Sequence, residues 1–424
     1  MSEIDSGIAV EDTVFIIRFN NLKRDEIDFI CQFLNSDQVS NRISNSRNYS
    51  VIPTQTLKTV RSLEVPIPDN KIIDLVKEMN KLESALKSEY EKSKEYKRAL
   101  FNGDETVDLL ETFEEALFMA SSLETALKLK DDINYKVRTQ YPFPLAFAYR
   151  HIYMEREYAG VYERQMKYGE QMLSFFAAVG VCLAVKYGAE SHPEEVATLL
   201  NNYKAYIDKA ISPGDLQESL QQSCKLLAGI HTVDMAQDFS RIWYKPGGKK
   251  ESAFAKNSRE KLVSQLNDFK HHRGPSNKHE RKVFSKEQTE VLEAMLSHVE
   301  FCTKWDLMRI EEIDKGWRSD ELEYSVSLLK GDHPAFEQMQ FASSRNLSKD
   351  KLYIKCGDDF ICLYPLISLL YNTNTRREEI FTIDKATKNS YVLKSFESGT
   401  SIENSELRSD FEYWKEHSTN ESGL

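Results

Sequence analysis

The sequence predicts an α+β protein, mostly α: a small N-terminal α/β piece with a long spacer helix, a central helical bundle and a small C-terminal antiparallel β module. Three observations predict it. Glycine is scarce, at 16 beside 20 Tyr and 22 Phe, which favours helices over folds punctuated by glycine turns. Apolar residues recur at helical spacing through most of the chain between 70 and 312. After Gly331-Asp-His-Pro334 the pattern turns to period two. A chain of 424 residues exceeds one ordinary core. The expected divisions are 1–69 (α/β piece), 70–100 (spacer helix), 104–330 (helical domain), 331–400 (β module) and 401–424 (charged tail).

Taken in order, Thr13 to Phe19 is β-branched and aromatic and is expected as a strand. Leu22 to Ser40 is expected as a helix with Ile27, Ile30, Phe33 and Leu34 on one face. An Asn- and Ser-rich loop follows over 40–50, and a short turn with two prolines over 54–69. The spacer helix carries Ile72, Val76, Met79, Leu82 and Leu86 at steps of three and four, a seam suited to a partner helix. Asp104 to Asp132 is expected as an amphipathic helix, broken by Tyr141-Pro-Phe-Pro144. Two apolar helices then run from Leu145 to Lys186, split near Gly160, with Tyr162, Tyr168, Met172, Phe175 and Phe176 spaced as packing residues. Glu194–Ala210 and Gly214–Ile230 are separated by Ser212-Pro-Gly214, a basic helix ends at His272, and an amphipathic helix runs from Glu287 to Glu312. The β module is expected as two hairpins, 351–365 and 379–396.

The chain carries −11 overall, with a pI near 5.5, so it does not coat nucleic acid broadly. From Arg241 to Lys282, however, twelve Lys and Arg face four Asp and Glu. That +8 leaves −19 elsewhere. A basic, His-bearing island in an acidic chain is where a nucleic-acid phosphate would sit. Its other explanation is a helix C-terminus with cations set against the dipole and Gly274-Pro275 as the stop. The candidate nucleic-acid-binding residues are Lys270, Arg273, Arg259, Lys261 and Lys278.

The six cysteines form no Cys-x-x-Cys pair, so reduced thiols in a cytoplasmic protein are expected. The N-terminus is acidic and has no signal-like apolar stretch. The most apolar run, Met172 to Val185, is too short to span a bilayer, so no membrane is expected. His333, Cys356 and Cys362 lack a fourth zinc ligand, and the two cysteines are expected in the strand core. No metal and no cofactor are expected. No phosphate-binding glycine loop and no Ser-His-Asp order appears.

Two stretches resemble known families. Residues 10–100 run strand, helix ending Phe33-Leu-Asn-Ser36, Thr56-Leu-Lys58, then Val65-Pro-Ile-Pro68 and a long helix. This order resembles the second half of a target-recognition domain in a type I restriction-modification specificity subunit. The resemblance implies DNA binding and a methyltransferase or restriction/helicase partner through the 70–100 helix. Further on, Tyr141-Pro-Phe-Pro-Leu-Ala146, then Tyr149-Arg150, a helical hairpin, and Leu266-Asn-Asp-Phe-Lys-His-His-Arg-Gly-Pro275 resemble a HEPN-like helical domain of bacterial phage-defence proteins. The signature there is Arg, a polar residue, three variable residues and His. Asn267 takes the polar place and His271 the His, with His272 beside it, but Leu266 stands where the Arg belongs.

Metal-free RNA cleavage needs a group that exchanges protons near neutral pH and a fixed cation on the scissile phosphate. Asn267, His271 and His272 are therefore the candidate catalytic residues. The departure at Leu266 favours a DNA-specificity-like or nucleic-acid-binding subunit of a restriction-modification or antiviral defence system. The alternatives are a metal-independent HEPN-type endoribonuclease, which implies a homodimer, and a structural assembly platform.

Overall fold

The computed structural model describes residues 23–34, scattered positions between 39 and 94, and residues 132–418 except 156, 246–249, 316–320 and 350. The chain divides into two compact units, Met1–Glu124 and Thr125–Leu424. In the first, α1 (Arg24–Leu34) buries Ile30, with Ile27, Phe33 and Leu34 partly covered, the face expected of it. Asn80, Ser84 and Tyr90 are helical and belong to the expected spacer helix. The expected strand 13–19, the 54–69 turn, the seam residues and the 104–132 helix lie outside the described residues.

The second unit is α+β. Asp132 caps α2 (Ile133–Gln140) by accepting from the Asn134 N–H, and Pro142 and Pro144 open α3 (Phe143–Met154). Next comes α4 (Tyr158–Gly188), which is buried on every side from Met172 to Ala184 and is the core of the unit. It is longer than its apolar run suggests. By length and composition alone it could cross a membrane, but 78% of its apolar window is buried within the fold. Its small residues admit neighbours closely: a Cβ at Gly180 would meet the Phe239 ring at 2.9 Å, and one at Gly169 would meet Leu262 at 2.6 Å. Around it pack α5 (Pro193–Asp208), α6 (Pro213–Leu227) and α7 (Asp234–Ser240). Ser212 and Asp215 form a reciprocal capping box at the head of α6. A helical run follows: α8 (Ala253–Asn257), a π turn (Ser258–Leu262) and α9 (Val263–Lys270). Then comes α10 (Lys278–His298).

The helix expected over 287–312 ends instead at His298, and after a 3-10 turn (Glu300–Lys304) the chain enters strands at Asp306, well before Gly331. The antiparallel sheet order is β3-β2-β1-β4-β5, with β1 (Asp306–Lys315), β2 (Leu322–Leu328), β3 (Glu337–Ser343), β4 (Leu352–Cys356) and β5 (Asp359–Cys362). A second, antiparallel sheet runs β6 (Ile367–Asn372), β7 (Arg377–Ala386), β8 (Tyr391–Ser395) and β9 (Ser401–Asn404). Both expected hairpins are present, as β4–β5 and β7–β8. The strands are no separate module, because Leu307, Ile354, Ile361, Phe381 and Leu393 join the same apolar core as α4. Nor is 401–424 only a charged tail: α11 (Glu406–His417) buries Leu407 and Phe411.

A buried carboxylate pair ties the ends of β6, β7 and β8. Glu379 accepts from Asn372, Ser395 and Ser398 on one oxygen and from Thr375 and Arg377 on the other. Burial pushes its carboxyl up, but these donors outweigh burial and hold it down at about 2. Glu397 accepts the Ile380 N–H on both oxygens at 3.0 Å, and burial, with Glu379 nearby, pushes it up to about 7. The signs differ. Glu379 contributes stability above its unfolded value that is lost as pH falls towards 2. Glu397 favours the fold while protonated, and that contribution fades as pH rises from its unfolded value of 4.5 to about 7. Across that window the fall is about 3 kcal/mol at most. Glu397→Gln is expected to flatten it, as read by urea unfolding at pH 5 and pH 7.5; an unchanged pH slope would remove Glu397 as its source.

Candidate nucleic-acid interface

The basic island is shaped by one helical run. Phe254, Ser258, Leu262 and Leu266 are all buried and follow one another at steps of four. In an α-helix each such step rotates the face by about 40°. The π turn at Ser258–Leu262 offsets that drift and keeps these side chains on one inward face. Leu262 packs on Gly169 of α4, and Leu266 is 1% exposed. The position that carries Arg in the resembled motif is thus part of the apolar core. Asn267, His271 and His272, with Arg259, Lys261, Lys270, Arg273 and Lys278, are all exposed on the outer side.

The C-terminus of α9 closes as a Schellman motif. The Arg273 N–H bonds the Asp268 carbonyl at 2.8 Å and the His272 N–H bonds that of Phe269 at 3.2 Å. His272, at φ 55°, takes the left-handed position, a place expected of Gly274. The helix-end explanation of the island therefore holds for its backbone. Asn277 then caps α10 by accepting from the Glu280 N–H at 2.9 Å.

The expected cations divide into two sets. Arg259 is gripped by both Glu251 oxygens, at 2.5 and 2.7 Å. Lys270 bonds Glu170 of α4 at 2.7 Å, and Lys394 of β8 reaches the other oxygen at 3.0 Å. Burial pushes the Glu170 carboxyl up, but the two ammonium groups outweigh it and hold it below the ordinary range. Lys261, Arg273 and Lys278, by contrast, have no ion-pair partner among the described residues, and neither Asn267, His271 nor His272 has a side-chain hydrogen bond there. No fixed cation stands at motif spacing from His271. The geometry offers unpaired positive charge and exposed imidazoles on a helical run whose inner face is buried.

Tyr162 of α4 underlies this corner. It is buried, its hydroxyl lies against Gly274, and its ring meets Phe269 at 5.9 Å and Phe284 at 6.5 Å. Arg281 reaches the Pro275 carbonyl at 3.2 Å and Glu163 at 3.5 Å. Val283 and Phe284 were not singled out from the sequence, yet they are 44% and 36% exposed. The signal was an apolar pair inside Lys278-His-Glu-Arg-Lys-Val-Phe-Ser-Lys286.

Elsewhere, His151 lies edge-on to Phe147, and burial with Arg164 and Arg150 pushes its imidazole below the ordinary value. His333 accepts from the Ala335 N–H at 3.1 Å, while Cys356 and Cys362 sit on β4 and β5. Among the described residues, no three or more His, Cys, Asp or Glu side chains are grouped to hold a metal.

No protein-family model, no curated protein and no solved structure matches the chain.

Because His272 pays a left-handed backbone cost that glycine avoids, His272→Gly is expected to stabilise the protein by up to about 1 kcal/mol. Thermal unfolding reads this directly, and a drop in Tm would show that the imidazole holds a structural contact.

Proposed function

We propose that the chain is a nucleic-acid-binding component, without turnover of its own, of a restriction-modification or anti-phage defence assembly. One observation carries this: Lys261, Arg273 and Lys278 are exposed without ion-pair partners among the described residues, in a segment of net +8 within an otherwise acidic chain. Cations presented on the π turn, on the loop after α9 and at the head of α10 neutralise phosphates and release counterions, which gives affinity with little dependence on base sequence. The −19 carried elsewhere repels the polyanion and confines it to this corner.

The resemblance of residues 10–100 to a specificity subunit supplies the proposed setting: a bacterial cytoplasm, with a methyltransferase or restriction/helicase subunit docking through the 70–100 helix. The second reading, a metal-independent HEPN-type ribonuclease acting as a homodimer, draws on the exposure of His271 and His272. In that case His271 would exchange protons with the ribose hydroxyl or leaving group. The buried Leu266 weighs against it, since the phosphate cation would have to come from elsewhere.

The test is charge reversal, Arg273→Glu with Lys278→Glu. Binding of labelled DNA and RNA should weaken, and the slope of log Kd against log salt should shrink by about 1.4–1.8 if each cation meets one phosphate. An unchanged affinity and slope would remove this surface as the binding site.

A further inference from the structure

The candidate interface is not only charged. Val283 and Phe284 are the exposed apolar residues of α10, one helical turn beyond Lys278 to Arg281. Phe284 is fixed from beneath by the Tyr162 ring in an edge-to-face contact at 83°, and Tyr162 in turn holds Gly274 of the basic loop. Ring and loop are thus seated on the same buried side chain. Among the described residues no protein ring stacks parallel on Phe284.

A duplex presents phosphates and sugars on its outside and has little use for an exposed phenyl ring beside its cations. A single strand presents unstacked bases, each with a π face, along a backbone that needs cations at short intervals. Lys278 is exposed at the head of α10, within two turns of Phe284, and Arg273 precedes Gly274, against which the Tyr162 hydroxyl lies. The complementarity of charge and of ring therefore selects the same occupant.

We propose that Phe284, with Val283 beside it and Arg273 and Lys278 flanking, is a stacking platform for a base of single-stranded nucleic acid. This rests on the nucleic-acid-binding function proposed above and narrows its substrate to the single strand. A stacked base contributes enough that its loss weakens binding by about tenfold.

The experiment uses the full chain with labelled oligo-dT, oligo-U and a duplex of equal length. Phe284→Ala should weaken binding to the single strands about tenfold and leave the duplex unaffected. Phe284→Trp should keep single-strand affinity and show quenching of the new indole on binding, which also guards against a misfolded Ala variant. Unchanged single-strand affinity in Phe284→Ala, equal loss on the duplex, or no quenching in Phe284→Trp would each overturn the platform. So would an acidic peptide that competes as well as the oligonucleotides. If Arg273→Glu with Lys278→Glu also leaves binding untouched, the nucleic-acid function itself fails. If only the phenyl substitutions are silent, the platform alone fails. A preference for oligo-U or oligo-dT separates RNA from DNA as the strand held.

Discussion

The burial of α4 is the constraint on which the second unit depends. A helix apolar around its full circumference stays in place only if every side is covered, and here helices and both sheets share in covering it. The same helix builds the candidate interface. Gly169 admits Leu262 and so seats the π turn. Glu170, the next residue, ties Lys270 of α9 to Lys394 of β8. Two turns earlier, Tyr162 supports the basic loop and Phe284. The exposed corner is therefore placed by core packing and backbone capping rather than by its exposed ion pairs, which are of small net worth.

Electrostatics then sorts the cations. A chain of −11 has carboxylates to spare, and Glu170, Glu251 and Glu163 engage Lys270, Arg259 and Arg281. These pairs fix the geometry of the island at the expense of its free charge. Arg273 and Lys278 escape because they flank a loop between two helix ends, where backbone capping rather than a neighbouring helix face sets their position. Lys261, exposed on the same π turn as Arg259, has no such carboxylate partner among the described residues.

Much of this was legible in sequence. Ser212-Pro-Gly214 marked the head of α6, the Gly-Asp-Asp turn marked β4–β5, and Gly274-Pro275 marked the end of α9. The first strand was hidden for a physical reason. β1 is covered on both faces, Leu307 in the core shared with α4 and Met308 and Ile310 in a second apolar cluster, so its buried residues do not alternate and read as a continuation of the helical pattern of α10. In α11, Leu407, Phe411 and Trp414 carry an amphipathic signal that the charge of the tail obscured. The π turn left no local mark: only the run of four-residue steps from Phe254 to Leu266 pointed to it. That the exposed cations separate from the paired ones depends on carboxylates distant in sequence, which no local pattern carries.

The measurement that bears most directly on the central claim is incubation of the purified full chain with labelled single-stranded RNA and tRNA in EDTA, with His271→Ala alongside. A core leucine at the motif's Arg position leaves His271 without a fixed phosphate cation. RNA is therefore expected to be bound and recovered intact by both proteins. Cleavage by the wild type that disappears in His271→Ala would contradict it and make the chain a metal-independent ribonuclease.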